Sequence, residues 1–471
     1  MISSYKWKYL LLTSISNNQL DLENNILLDS ELSTVKTAIL GGGLTGITLA
    51  RLLHEKGDDV TVLEQEPVFG GLCRSVINSG FTFDIGGSHI IFSRDAEVLT
   101  FMNDVLGENS QRNIRNTKIF YKGLYIKYPF ENGLNQLPKD DLFFCINEFI
   151  KTLIAVEKGK LAPPGNFREW IIHTFGKGIA DLYLIPYNEK IWKFPTEQMS
   201  LHWVEGRIPR PPLEDIIKSA IGIETEGYTH QSVFTYPRKG GIEALVRSIA
   251  SPIEKSIRTG FDVSSVRKEG EKYLISDGDN IIIADRCIST IPLQRLLESL
   301  ENVPDTVRKS CNELKYNSIV CVFIGVQGKL PNISWMYVPD KDPGLFNRVS
   351  FPSNYSPDVA HAGHSAILAE ITYHEGDDVS EMSDRKIIDH VIKALKNMNI
   401  IKDREDIVYT ALERQRFAYV IYDLDYKKNI AIVKDFCEKL GIGLVGRFSE
   451  FEYLNMDGCI RNAMNFVRNN K

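Results

Sequence analysis

A run of six residues near the amino terminus restricts the fold more than any other feature of the sequence. Gly41, Gly43 and Gly46 form a G-x-G-x-x-G pattern between an apolar run that reads as a strand and ten residues with helical spacing. A second apolar run follows and ends at Glu64. A strand, a tight glycine turn, a helix and a second strand ending in an acid are typical of the dinucleotide-binding βαβ unit. The sequence therefore predicts an α/β fold with a dinucleotide site at its first turn.

Each residue of this pattern has its own physical role. Gly41 permits the tight turn, Gly43 lets the backbone approach a pyrophosphate, and Gly46 allows the helix to pack closely on the strand. The helix amino terminus supplies N–H donors and the positive end of its dipole. Glu64 can accept hydrogen bonds from ribose hydroxyls, and no basic residue follows it immediately, which disfavours a 2′-phosphate. A glycine pattern alone is weak evidence, so the prediction depends on this order of elements.

Glycine pairs recur farther along the chain. Gly70-Gly71 precede Arg74, and Gly86-Gly87 close an alternating run just before His89. A Gly-Gly pair after a strand lets a flat ring approach the backbone. A solvent turn with a surface arginine would also explain Arg74, and a lone histidine is more often structural than functional. The residues alone leave both interpretations open.

Composition and length limit the number of domains and the classes of partner. The chain has 471 residues and a net charge of −6, which suggests two or three domains and argues against nucleic-acid or anionic-membrane partners. No run has the roughly 18 apolar residues of a membrane span, and the apolar run at residues 9–12 is short for a signal peptide. The seven cysteines show no metal-ligand spacing. We expect free cysteines, no metal site and a cytoplasmic location.

The order of predicted elements divides the chain into interleaved parts. Helices are predicted at residues 142–158, 167–188 with a break at Pro186, and 380–398, and strands at 316–326, 334–338 and 366–373. The predicted organisation is an amino-terminal extension at 1–34, dinucleotide-domain parts at 35–110, 231–300 and 431–471, a mostly helical insertion at 111–230, and a sheet-containing substrate domain at 301–430.

Several segments together resemble the UDP-galactopyranose mutases, especially the eukaryotic type, within the FAD superfamily of amine oxidases and protoporphyrinogen oxidases. Besides the glycine pattern, the matching segments are 83–93, 128–132, 169–181, 186–188, 190–192, 347–357 and 446–453. The resemblance implies a Rossmann-like FAD-binding domain with an interleaved helical insertion and a β-sheet substrate domain, as in glutathione reductase and amine oxidases. It also implies a redox-neutral ring contraction, in which N5 of reduced FAD attacks the anomeric carbon of UDP-galactopyranose.

The same resemblance implies roles for individual residues. It assigns catalysis to His89 and Arg348, and substrate binding to Trp170, Tyr337, Asn347, Tyr419 and Tyr453. It assigns FAD binding to Gly41, Gly43, Leu44, Thr45, Gly46, Glu64, Gly71, Leu72, Arg74, His89, Val263, Gly446, Arg447, Tyr453 and Met456. The expected partners are a UDP-sugar or another small-molecule substrate and a reductant, either NAD(P)H or a redox protein, and an oligomer is compatible with the sequence.

The chain departs from the family pattern at four positions. Ile185 stands where the family has a second diphosphate-binding arginine, and the other changes are Glu131 for glutamine, Ser88 as an insertion, and Pro212 for asparagine. Loss of a bidentate cation costs anion affinity unless another cation replaces it. The candidates for that replacement are Arg207, Arg210 and Arg238.

Three functions follow from these observations. A nucleotide-sugar mutase is favoured by Arg348 with the tyrosines. An FAD-dependent oxidoreductase of the amine oxidase or protoporphyrinogen oxidase type is the alternative, and it is favoured by Ile185. A non-catalytic FAD-binding protein is disfavoured by His89 beside the Gly-Gly turn.

Overall fold

The computed structural model describes residues 34–204, 208, 210–225 and 232–470. The predicted extension, apart from residue 34, and the candidate cation Arg207 lie outside these residues. In chain order, the strands are β1 (Lys36–Leu40), β2 (Asp59–Glu64), β3 (Ser75–Asn78), β4 (Phe81–Asp84), β5 (Ser110–Ile114), β6 (Thr117–Tyr121), β7 (Leu124–Lys127), β8 (Val233–Pro237), β9 (Ile257–Thr259), β10 (Ser265–Glu269), β11 (Lys272–Ser276), β12 (Ile281–Ala284), β13 (Arg286–Ser289), β14 (Lys315–Gln327), β15 (Trp335–Tyr337), β16 (Arg348–Ser350), β17 (His364–Tyr373), β18 (Ile407–Ile421) and β19 (Gly443–Leu444). The α-helices are α1 (Leu44–Glu55), α2 (Ala96–Leu106), α3 (Lys139–Glu157), α4 (Phe167–Ile179), α5 (Ile185–Trp192), α6 (Leu213–Ala220), α7 (Glu243–Ala250), α8 (Leu293–Ser299), α9 (Asp305–Asn312), α10 (Asp378–Glu381), α11 (Asp384–Asn397), α12 (Tyr426–Lys439) and α13 (Met456–Asn469).

A five-stranded parallel sheet is built around the predicted βαβ unit. Its strand order is β19-β13-β1-β2-β9. Helix α1 buries Ile47, Leu49 and Leu53 in one core with the buried strand residue Ile39. Helices α7 and α13 pack against α1. The predicted α/β class is confirmed by this sheet, and the strand ends place the glycine turn at its carboxyl edge, where ligands of such sheets bind.

A seven-stranded mixed sheet faces this edge from the other side. Its order is β18-β14-β17-β16-β15-β6-β7, with β6 and β15 parallel and the other neighbours antiparallel. Strand β18 was not predicted from the sequence. Charged residues such as Glu413, Arg414 and Arg416 interrupt its apolar pattern, because much of the strand lies at an exposed sheet edge. Smaller sheets are β10-β11-β12, β3-β4 and β5-β8.

The helical insertion breaks at a different residue from the predicted one. Gly176, with φ 74°, interrupts the helical backbone inside α4, and a Cβ there would lie 2.6 Å from Cα of Phe149 on α3. Pro186 instead sits in the first turn of α5, where its missing N–H costs nothing. A π-helical turn, Ala180–Leu184, joins α4 to α5. The predicted helix at 380–398 is also two helices, α10 and α11.

The structure also bears on the expectations about cysteines and membrane spans. The seven cysteines are free and buried. Within the described ranges, no helix is long and apolar enough to cross a membrane.

Candidate active site

A cavity of about 880 Å³ lies between the parallel and the mixed sheet. The site residues predicted from the sequence that line it are Gly41, Gly43, Leu44, Thr45, Glu64, Gly71, Leu72, Arg74, His89, Val263, Tyr337, Arg348, Tyr419, Arg447, Tyr453 and Met456. Gly46, Trp170, Asn347 and Gly446 do not line it. Its volume is within the usual range for sites that hold cofactors or small molecules.

One end of the cavity has the geometry of a dinucleotide site. The carboxylate of Glu64 accepts hydrogen bonds from the N–H of Gly42 at 2.7 Å and of Glu66 at 2.9 Å. Burial raises the pKa of Glu64, although these N–H groups and Arg74 oppose that shift. The two backbone hydrogen bonds hold the carboxylate at the end of β2, where it can accept from a ribose.

The glycines divide into those that pack and those that leave room for a ligand. A Cβ on Gly46 would lie 2.0 Å from the carbonyl oxygen of Gly41, so Gly46 permits the contact between helix and turn. A Cβ on Gly43 would meet only Cα of Gly71, at 3.9 Å. The strip between Gly43 and Gly71 is therefore bare backbone beside the amino terminus of α1, which suits a pyrophosphate.

The turn that carries His89 is anchored by a buried carboxylate. Asp84 accepts from Ser75 Oγ at 2.8 Å, Tyr236 OH at 3.0 Å and the N–H of Ile242 at 3.0 Å. Burial raises the pKa of Asp84 to about 6. His89 Nδ1 lies 2.8 Å from the carbonyl oxygen of Gly87, and burial lowers the pKa of His89 to about 4. The imidazole is therefore neutral at physiological pH.

The other end of the cavity carries a fixed arginine. Arg348 donates from Nε and Nη2 to the two carboxylate oxygens of Glu370, both at 2.7 Å, and Glu370 is 0% exposed. Burial opposes the charge on Arg348, but Glu370 outweighs it and raises the pKa of Arg348 well above its ordinary value. Glu370 also accepts from the N–H of Ser88 at 3.0 Å, which connects Arg348 to the histidine turn.

Aromatic side chains form the walls around this arginine. Tyr419 and Tyr453 stack with centroids 5.9 Å apart, and the guanidinium of Arg447 lies 4.6 Å from the Tyr453 centroid. On the other side, the ring of Tyr337 lies 5.1 Å from that of Tyr128. Burial raises the pKa of Tyr128 and Tyr419, so both phenols stay protonated and can donate hydrogen bonds.

Arg115, another cation in the cavity lining, was not predicted from the sequence. The guanidinium of Arg115 lies 4.7 Å from the ring of Tyr128 and 4.8 Å from that of Trp335, and Arg115 lines the cavity. Strand β6 begins two residues later and pairs with β15, so Thr117 lies beside Trp335. The replacement candidates Arg210 and Arg238 do not line the cavity. Only the long-range pairing of β6 with β15 could have identified Arg115.

Three of the singled-out residues lie in the protein interior instead. Trp170 is 8% exposed and packs between Phe167 and Phe175, with centroids 6.2 and 5.9 Å away. Ile185 belongs to the same apolar core. Asn347 is 1% exposed, and because neighbours in an extended segment point to opposite faces, it turns away from the side that Arg348 occupies.

Comparison with known proteins agrees with this geometry. The family described as flavin containing amine oxidoreductase matches residues 44–426. A crystal structure of reduced UDP-galactopyranose mutase superimposes with a TM-score of 0.84 and 26% identity, covering 92% of this chain and 95% of that one. A putative protoporphyrinogen oxidase from Exiguobacterium sp. 255-15 shares the fold, with a TM-score of 0.73, 16% identity, and coverage of 93% and 98%.

Two curated relatives are also mutases. The dTDP-fucopyranose mutase of Escherichia coli is 22% identical over 56% of this chain and 76% of its own length. The UDP-galactopyranose mutase of Mycoplasma pneumoniae is 21% identical over 46% of this chain. The matched region covers 52% of that protein, about half of its length. The matching family is described as flavin-containing, and the glycine strip suits a dinucleotide. The cofactor is therefore FAD.

Proposed function

This chain belongs to the family of flavin-containing amine oxidoreductases, and on that premise we propose that it is a nucleotide-sugar mutase. The proposed substrate is UDP-galactopyranose or a close analogue, and the proposed reaction is contraction of its sugar ring. Reduced FAD, when bound, supplies the nucleophile for the anomeric carbon. The physiological reductant we propose is NAD(P)H or a redox protein.

The observation that carries this proposal is the pair of arginines at the far end of the cavity. Arg348 is held by Glu370, and Arg115 is held between two aromatic rings. A diphosphate leaving group needs cations and hydroxyl donors in an environment of low dielectric. Arg115 compensates for the arginine that Ile185 replaces, because it adds a cation on the Tyr128 side of the cavity.

The remaining side chains orient the substrate and exclude water. Tyr419 and Tyr453 stack beside Arg447, and Trp192 packs edge-on against both, with centroids 5.8 and 5.6 Å away. These apolar walls strengthen each charge–phosphate contact. Burial raises the pKa of the Tyr419 phenol, so the phenol keeps its proton and donates a hydrogen bond to phosphate oxygens.

A second candidate function is an FAD-dependent oxidoreductase. Ile185 favours it, because an apolar residue replaces a cation that the mutase pattern has. The arginines count against a cationic amine as substrate, because like charges repel in a cavity of low dielectric. A neutral or anionic substrate, such as a porphyrinogen carboxylate, would be compatible with them.

The two functions differ in electron flow, and one experiment separates them. The purified yellow protein is reduced with dithionite, mixed with UDP-galactopyranose or UDP-galactofuranose, and assayed for interconversion by chromatography. The proposal expects interconversion only after reduction and with no net flavin oxidation. Stoichiometric consumption of oxygen or quinone with substrate, without interconversion, would establish the oxidoreductase.

Two variants make the experiment specific for the anion site. Arg348→Ala should bind UDP at least tenfold more weakly and keep FAD, because it removes a cation far from the glycine strip. Arg461→Ala is the matched control, since that arginine pairs with Asp95 outside the cavity. Unchanged UDP affinity in Arg348→Ala would contradict the proposal.

A further inference from the structure

Tyr453 reaches the cavity from a turn with an unusual backbone. Phe451, two residues before it, has φ 54°, in the left-handed region that a bulky side chain rarely adopts. The Phe451 side chain is nevertheless fully buried, with 0% exposure. On the other side of Tyr453, the carbonyl oxygen of Leu454 accepts from Arg447 Nη1 at 2.9 Å. Since a chain does not favour a left-handed phenylalanine by itself, contacts from elsewhere in the fold must hold this turn.

The contacts that hold the turn come from two buried tyrosines, Tyr422 and Tyr426, which are 0% and 2% exposed. The Tyr422 hydroxyl lies 2.8 Å from Glu452 Oε2 and 2.5 Å from the backbone nitrogen of Tyr453. The Tyr426 hydroxyl lies 2.9 Å from Glu452 Oε1 and 2.8 Å from the carbonyl oxygen of Phe451. Each residue of the turn is therefore hydrogen-bonded to at least one of these tyrosines.

The direction of the two hydrogen bonds at Tyr422 follows from their partners. A carboxylate oxygen only accepts, and a backbone N–H only donates. The Tyr422 hydroxyl therefore gives its proton to Glu452 and accepts the N–H of Tyr453. One oxygen atom thus connects the Glu452 carboxylate to the backbone of a residue that lines the cavity. Phenylalanine in place of Tyr422 would remove both hydrogen bonds.

The position of the Tyr453 ring depends on the same segment of chain as that of its neighbour Tyr419. The two rings stack in the cavity wall, and Tyr419 lies near the end of β18. Tyr422 follows three residues later and does not line the cavity. The segment that presents Tyr419 therefore also carries the hydroxyl that fixes the backbone of Tyr453.

We propose that Tyr422, oriented by Glu452, is a positioning residue that sets the Tyr453 phenol for the diphosphate of the substrate. Because Tyr422 is outside the cavity lining, it acts only through the backbone from which the Tyr453 side chain extends. This inference rests on the proposed function, which needs a diphosphate site beside Arg348.

Two measurements on the full chain loaded with FAD test the inference. Tyr422→Phe should make hydrogen exchange at the Tyr453 amide at least tenfold faster, because that N–H loses this acceptor. The same variant should bind UDP about tenfold more weakly. In the Tyr453→Ala background, Tyr422→Phe should cause no further loss of UDP affinity, since the side chain that it positions is absent.

Tyr273→Phe is the matched control for the loss of a buried hydroxyl. Tyr273 is 4% exposed, donates to the carbonyl oxygen of Leu440 at 2.8 Å and does not line the cavity. In this variant, UDP affinity and exchange at the Tyr453 amide should equal those of the wild type. If Tyr422→Phe does not fold, Glu452→Gln tests the same contacts, because an amide offers one acceptor oxygen to two tyrosine hydroxyls. Glu452→Gln should also weaken UDP binding.

Three results would overturn the inference: unchanged exchange at the Tyr453 amide in Tyr422→Phe, unchanged UDP affinity in that variant, or additive losses of affinity in the double variant. Failure of the proposed function gives a different result. The wild type would then bind no UDP and interconvert no nucleotide sugar, while exchange at Tyr453 would still be faster in Tyr422→Phe. That combination would contradict the diphosphate as the ligand and support the positioning of Tyr453 by Tyr422.

Discussion

Arg348 on β16 and Glu370 on β17 lie directly opposite each other in the antiparallel register and form a two-pronged ion pair. The register explains why the arginine is held so firmly, since a cross-strand pair needs no loop to bring its members together. The carboxylate is fully buried and also receives the N–H of Ser88. One acid therefore orients both Arg348 and the histidine turn.

Removal of Arg348 should cost stability as well as UDP affinity. Arg348→Ala leaves Glu370 buried without its counterion, which costs about 3–5 kcal/mol in the free energy of unfolding. Arg348→Met combined with Glu370→Gln should recover most of that loss, because no buried charge remains. Urea denaturation of the two variants measures the difference. Equal stability of the single and double variants would show that the ion pair does not govern this part of the fold.

Substitution by alanine should have different effects at Gly46, which packs against the turn, and at Gly43, which faces the glycine strip. Gly46→Ala should prevent folding, because its Cβ would lie 2.0 Å from the carbonyl oxygen of Gly41. Gly43→Ala should fold, because its Cβ meets only Cα of Gly71 at 3.9 Å, but it should bind FAD at least tenfold more weakly. Circular dichroism and flavin fluorescence titration separate fold from binding. Tight FAD binding by Gly43→Ala would argue that the pyrophosphate does not lie along this strip.

His89 should make the protein less stable in acid. Burial lowers its pKa from 6.5 to about 4, so below about pH 6.5 the unfolded chain binds a proton that the folded chain does not. The free energy of unfolding should therefore fall as the pH drops from 7 to 4, by about 3 kcal/mol from this residue. His89→Gln should flatten that part of the profile. An identical pH dependence in wild type and variant would assign the acid sensitivity to other groups.

Lys190 should hold the loop that joins β15 to β16. Its ammonium donates to the carbonyl oxygens of Val338, Asp340 and Gly344 at 3.0, 2.5 and 2.8 Å, and burial lowers its pKa to about 7. Lys190→Met leaves these carbonyls without their donor and should cost about 2–4 kcal/mol of stability. Hydrogen exchange at the amides of Val338 and Leu345, which are hydrogen-bonded at the two ends of this loop, should become at least tenfold faster. Lys386→Met, at an exposed position of α11, is the control and should change neither quantity.

How much could be read from the sequence depends on how local each feature is. The β1–α1–β2 unit was predicted because its turn, helix and strands are consecutive and have distinct periodicities. Arg115 and Glu370 were missed, because each reaches the site through strand pairing: β6 beside β15, and β17 beside β16. Nothing in the residues around them indicates a neighbour more than twenty positions away.

The position of Trp170 in the structure has a physical cause too. Trp170 was expected in the substrate pocket, and the structure places it between two phenylalanines. A tryptophan on an apolar helix face suits a core as well as a ligand wall, and its sequence neighbours do not distinguish the two. The break assigned to Pro186 falls at Gly176, since a proline is tolerated in a first helical turn while two crossing helices leave no room for a Cβ.

The order of the parallel sheet has a consequence for biosynthesis. Strand β1 pairs with β13, and β13 pairs with β19 at residues 443–444, far along the chain from β1. Pairing over such distances is slow, so this edge of the sheet is completed after the β1–α1–β2 unit, and only once β19 has been synthesised. We expect FAD to bind after this edge has formed and to stabilise the newly completed sheet.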